Sequence, residues 1–212
     1  MIRTLVLSAS MAALGFAGAM PVAAQSTAGA YLAARHAAVR SDFAEAAKYY
    51  AQALAQDSTN PEFLESTILS YLSMGAVAKA VPLARVLNDR DQRSQVAYLA
   101  TTAGLAEKGD YAGLIAQAGD ESGVGPWLDG LVKAWAHVGA GDMTAAISQF
   151  DTLGQGSGMR PLISYHKALA LASVGDFEGA DTLLSSDEIG SAAKTRRGVI
   201  AHVEILGQLD RK

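Results

Sequence analysis

Small and apolar residues recur along the chain at spacings of three, four and seven, the pattern of amphipathic helices rather than strands. A three-residue break keeps interrupting these runs. It reads Gly109-Asp110-Tyr111, Gly141-Asp142-Met143 and Gly175-Asp176-Phe177, with two degenerate copies before them, Ser41-Asp42-Phe43 and Gly75-Ala76-Val77. Successive copies are 34, 34, 32 and 34 residues apart. A fixed period of this size marks an array of one repeated supersecondary unit. Glycine readily takes the left-handed conformation that ends a helix. The following Asp can accept from the first free N–H groups of a new helix. The large apolar residue then packs between the two. Each copy therefore reads as the elbow of a helical hairpin, and the fold is predicted to be an all-α solenoid of about five hairpins plus one terminal helix. The units span 27–60, 61–94, 95–126, 127–160 and 161–190, with a partial sixth over 191–212.

In the first unit a helix from about Ser26 to Arg40 precedes the elbow, and Asp42-x-x-Glu45 has the form of a capping box. The second helix carries Ala46, Tyr50 and Ala53 on one face and closes in a polar run ending at Pro61. Small or compact residues stand at matching places in the first helices: Ala34, Ile68, Thr102, Ala134 and Ala168. Three positions on come Ala37, Tyr71, Leu105, His137 and Leu171. The stretch from Asp42 to Pro61 resembles the second helix of a tetratricopeptide repeat, and Ala146-x-x-x-Phe150 repeats that family's A-x₃-F signature. Ala180-x-x-x-Leu184 and Ala80-x-x-x-Ala84 are weaker versions. The family's Trp and Leu-Gly are mostly missing from the first helices. The second helix of the third unit, about Tyr111 to Gly119, is short, and Pro82 lies inside the second helix of the second unit.

Composition fits closely packed helices: half the residues are apolar, only 7% are aromatic, and cysteine is absent. The last fact excludes a disulfide framework, a thiolate nucleophile and a cysteine zinc site. A formal charge of −4 argues against a nucleic-acid partner, and the cluster Lys194, Arg196 and Arg197 reads as a solvated helix start. The N-terminus changes the picture more. Arg3, an uncharged apolar run from Thr4 to Met20, and the small residues Pro21-Val22-Ala23-Ala24 have the layout of a secretory signal peptide, 1–24, cleaved after Ala24. No stable membrane span is expected after cleavage. An exported, Ala-rich chain of this kind is expected to be bacterial and periplasmic, as residues 25–212.

Candidate chemistry is sparse. Gly154-x-Gly156-x-Gly158 lacks the strand that a dinucleotide fingerprint needs before it and reads as an inter-repeat loop, like 120–126 and 185–190. His36, His137, His166 and His202 have no metal-ligand spacing, although His166 stands where it could approach His137 or His202 across stacked helices. Glu62 and Glu65 lie in the first turn of a helix, where they favour its dipole rather than acid–base work. No Gly-x-Ser-x-Gly elbow is present. No catalytic residue, cofactor or metal is therefore expected.

The resemblance implies a concave face lined by first helices and suited to extended partners. Its groove positions fall on Tyr31 and Arg35, Glu65 and Leu69, Leu99 and Ala103, Leu131 and Trp135, and Tyr165 and Leu169. These are mostly apolar, and the Lys and Asn that clamp a peptide carboxylate in one branch of the family are absent. The implied function is a non-catalytic scaffold that binds a polypeptide partner, with Trp135 and Tyr165 as anchors. The alternative is the helical part of a cell-envelope enzyme whose catalytic domain is not in this chain. The last segment, from about Ser191, resembles a first helix that reaches its elbow at Leu209-Asp210, and apolar residues nearly encircle it. That predicts a truncated form of a longer repeat protein, with a terminal helix that frays, self-associates or is covered by another chain. Export is checked by intact mass and N-terminal sequencing of envelope-fraction protein, which should begin at Gln25. A membrane-held protein beginning at Met1 would overturn the periplasmic expectation.

Overall fold

The computed structural model describes residues 27–89, 94–118, 123–155 and 158–211; the expected signal segment, 1–24, lies outside them. The described residues form helices and no strand, in the order α1 (Thr27–Val39), α2 (Phe43–Gln56), α3 (Pro61–Ser73), α4 (Val77–Asn88), α5 (Gln95–Glu107), α6 (Tyr111–Gln117), α7 (Pro126–Gly139), α8 (Met143–Gly154), α9 (Arg160–Ser173) and α10 (Phe177–Leu184), then a 3₁₀ helix (Asp187–Lys194) and α11 (Arg196–Gln208). Each helix packs on the next, as an α-solenoid requires. No helix among the described residues is long and apolar enough to cross a membrane.

The elbows share one backbone solution. Ser41, Gly75, Gly109, Gly141 and Gly175 have φ of 59°, 69°, 65°, 80° and 89°. The next amide then donates back to a carbonyl five residues earlier: Asp42 to Ala37 (3.0 Å), Ala76 to Tyr71 (2.8 Å), Asp110 to Leu105 (3.0 Å), Asp142 to His137 (2.9 Å) and Asp176 to Leu171 (3.0 Å). This closes the outgoing helix with a left-handed cap. The Asp that follows opens the incoming one. Asp42, Asp110, Asp142 and Asp176 accept from the amides of Glu45, Gly113, Ala145 and Gly179 at 2.9–3.1 Å. Only half of the expected capping box at Asp42 forms, because the Glu45 carboxylate turns instead to Lys48.

Within four hairpins the two helices meet on fully buried small or compact residues: Ala34 with Ala46, Ile68 with Ala80, Ala134 with Ala146, and Ala168 with Ala180. Small groups at a crossing let helix axes come close. The third unit solves the crossing differently. Gln117 donates to the Thr102 hydroxyl (2.7 Å) and to the Tyr98 carbonyl (3.3 Å), a polar tie between α5 and the seven-residue α6.

Near the C-terminus the structure departs from expectation in two places. The segment 185–190, expected as a loop, turns into the 3₁₀ helix, because Ile189 buries itself against Leu184 and Ile205. The last helix therefore starts at Arg196, not near Ser191, with the Thr195 hydroxyl accepting from the Gly198 amide at 3.0 Å. A Cβ at Gly198 would collide with the Ala192 carbonyl, so this close crossing needs glycine. The sixth elbow also comes one residue late. Asp210, not Leu209, takes the positive φ (54°), and the Arg211 amide returns to the Leu206 carbonyl at 2.9 Å. Asp tolerates the left-handed region better than Leu, which is enough to shift the turn by one.

Candidate functional site

First helices lie beside first helices: α3 packs on α5, α7 on α9, and α9 on α11. The residues at the implied groove positions repeat along these helices at i and i+4, one stripe per helix. The structure gives them unequal freedom. Leu69 is 51% exposed, Arg35 is also exposed, and Leu99, Ala103, Trp135, Tyr165 and Leu169 are half-buried. Leu131 is buried in the core with Ala134, Phe150 and Ile163.

Two of the groove residues are held by neighbouring units. The Tyr31 hydroxyl donates to the Glu62 carboxylate, which pushes the phenol above its ordinary value, and its ring packs against Tyr50 and Phe63 with Arg35 above it. Tyr31 thus ties α1 to α3. The Glu65 carboxylate accepts from the Ser94 hydroxyl at 2.6 Å, while Ser94 accepts from the Ala97 amide at 3.2 Å. Glu65 therefore holds the start of α5 rather than simply meeting the dipole of its own helix.

Farther along, Trp135, His166 and Tyr165 form one aromatic group across α7 and α9. The Trp135 indole N–H donates to His166 Nδ1 at 3.2 Å, and its ring meets Phe150 edge-on. The His166 ring lies edge-on to both Trp135 and Tyr165. An acceptor at Nδ1 means a neutral ring, and burial pushes the imidazole below its ordinary value. His166 accordingly pairs with Trp135 rather than with His137 or His202. His202 instead pairs with Asp181 at 2.7 Å. Among the described residues no three His, Asp or Glu side chains gather as metal ligands.

Beyond Leu169 the stripe opens into a cleft of about 430 Å³ between α9 and α11, lined by Leu169, Ala172, Phe177, Ala201, Glu204 and Ile205 among others. Leu128 and Leu162, 42% and 36% exposed, extend the same stripe one turn earlier on α7 and α9. Sequence reasoning passed over both because it used two positions per helix. Their three-residue spacing from Leu131 and Tyr165, and the 34-residue step between them, carry the signal. Asp129 was also passed over. Buried at the start of α7, it accepts from the amides of Val124 (3.2 Å) and Gly125 (3.1 Å). Burial, and then the Asp129 carboxylate, push the Tyr98 phenol up.

The chain has a TPR-like fold. It superposes on the crystal structure of a thermophilic TPR protein from Thermus thermophilus with a TM-score of 0.59, covering 85% of this chain and 99% of that one. The two sequences are 17% identical, so the likeness concerns the fold. No protein-family model matches the sequence, and no curated protein matches it.

His166 gives the site a pH signature. Its folded-state value lies below the ordinary 6.5, so the unfolded chain takes the proton first as pH falls. The stability it contributes is complete above about pH 6.5 and declines as pH drops toward the folded value, where protonation also breaks the bond from Trp135. Urea midpoints from pH 7.5 to 5 should therefore fall more steeply in the wild type than in His166→Gln. Parallel curves would contradict this account of His166.

Proposed function

We propose that the protein is an exported, non-catalytic scaffold that holds an apolar stretch of another polypeptide against its first helices. The observation that carries this reading is the run of incompletely buried apolar side chains on those helices. Leu69, Leu128 and Leu162 are more than a third exposed, and Leu99, Trp135, Tyr165 and Leu169 lie beside them, half-buried. Contiguous exposed apolar surface on a soluble protein marks an interaction site. The rings of Trp135 and Tyr165 are held by Phe150 and His166, which limits the entropy lost on binding and suits them as anchors. Charge lies at the two ends of this face, on Arg35, Glu62 and Glu65 at one and on Glu204 at the other. An occupant apolar from Leu69 to Leu169 and polar at both ends matches that division.

The engagement of Asp129 by two backbone amides supports a structural role for this buried carboxylate. The periplasmic location rests on the layout of residues 1–24.

The test is in-cell photocrosslinking from Leu69 and Leu162, followed by affinity measurement on the captured segment. Trp135→Ala and Tyr165→Ala should each weaken binding by about 2 kcal/mol, the scale of an interface hot spot. Lys79→Ala and Lys108→Ala, off the stripe, should change it far less. Equal losses at all four positions would remove the first-helix face as the interface.

A further inference from the structure

We propose that the cleft between α9 and α11 is a pocket for a basic side chain, a lysine or arginine carried by the bound polypeptide. The cleft is the far end of the first-helix stripe, so the inference rests on the scaffold reading and adds the partner's chemistry at that end. It measures about 430 Å³, within the range of pockets that take small molecules and roomy enough for one long side chain.

The space is open because of the residues that line it. Between α7 and α9 the matching space is filled. There the Trp135 indole reaches His166 at 3.2 Å, and Met143 packs against core residues of both units. One unit later Leu169 stands 34 residues after Trp135, and Phe177 stands 34 after Met143. The elbow of α11 falls at Asp210, 35 residues after Gly175, so Ala201 takes the place of His166. A leucine in place of the indole and a methyl group in place of the imidazole leave the gap. Every lining residue belongs to α9, α10 or α11. Those on α11 lie on the side turned away from Val199 and Val203.

The polarity of the cleft selects a cation on an apolar stem. Its walls are Leu169, Ala172, Phe177, Ala201 and Ile205. The one charged lining group is Glu204, which is exposed at the rim. Among the described residues its carboxylate has no ion-pair or hydrogen-bond partner. Cations near it in the chain or on α9 are engaged elsewhere. His202 and Arg211 hold Asp181 at 2.7 and 2.6 Å, and Lys167 holds Asp151 at 2.6 Å. The rim also lies where α9 and α11 end, at Ser173 and Gln208, so both helix dipoles turn their negative ends toward it. A lysine or arginine lays its methylene stem along apolar surface and keeps its charged head at the water. An acidic side chain would meet Glu204 and two helix C-termini instead.

The probes are capped, fluorescein-labelled hexapeptides of alternating Leu and Ala that end in lysine, norleucine or glutamate, with binding read by anisotropy. The lysine peptide should bind the wild type about fivefold more tightly than the norleucine peptide, the scale of a partly exposed ion pair. The glutamate peptide should bind more weakly than either. Glu204→Gln, at an exposed site, should erase the preference, and Glu204→Lys should invert it toward glutamate. Leu169→Trp, which refills the cleft as the preceding unit does, should also erase it. No binding of the lysine peptide at 1 mM, on the order of the weakest specific contacts, overturns the proposal. So does equal affinity for the three peptides, or a lysine preference that survives Glu204→Gln; if Trp135→Ala still weakens binding, the scaffold reading stands without the pocket. A lysine preference that Glu204→Gln removes and Trp135→Ala leaves unchanged keeps the pocket and removes the stripe.

Discussion

Close approach of two helices over small residues is the constraint on which the rest depends. Ala34 and Ala46, or Ala168 and Ala180, fill little space between the axes, so the hairpin closes only if the turn returns the chain immediately and in phase. The left-handed residue supplies that return, and the Asp after it starts the next helix without spare chain. Larger side chains are then free to point between hairpins. Leu64, Leu87, Phe150 and Ile163 are the apolar bulk of the inter-unit clusters, and they lie next to the alanine crossings rather than in them. This division of labour leaves the first-helix stripe incompletely covered, most openly at Leu69, Leu128 and Leu162. A candidate binding face follows from the packing itself.

The same constraint explains the exceptions. Where Thr102 replaces the alanine, the crossing becomes a polar tie through Gln117, and the second helix shortens to seven residues. Where Ser41 replaces glycine, the left-handed turn is kept at φ 59°, because the hydrogen-bond geometry of the elbow outweighs one residue's preference. At the last elbow, Leu209 cannot take that conformation without strain. The turn slides to Asp210, and the repeat lengthens by one residue.

The fold was legible because its determinants are local. A turn close to Gly-Asp followed by a large apolar residue, and a small or compact residue at a fixed offset before it, are visible in sequence, and their recurrence sets the architecture. The 3₁₀ segment was not legible, since its cause is the burial of Ile189 between Leu184 and Ile205, residues brought together only by the stack. The candidate face lies between these cases. Its positions could be counted from the repeat, but not their freedom. Leu131 and Leu69 occupy matching stripes, yet Leu131 is buried by Phe150 and Ile163 while Leu69 stands open. Tyr31 and Glu65 likewise carry inter-unit bonds whose partners, Glu62 and Ser94, sit 31 and 29 residues away.

The central claim is that each hairpin is held by its own elbow and crossing, and only then by its neighbours. Residue-resolved hydrogen exchange on the wild type and on Ala146→Leu tests it most directly. An isobutyl side chain at a closed crossing costs about 1–3 kcal/mol by overpacking. In a stack of nearest-neighbour units that loss should appear in α7, α8 and α9 and leave the protection of α1 to α4 unchanged. An equal fall in protection from α1 to α11, or none in α7 and α8, would contradict it.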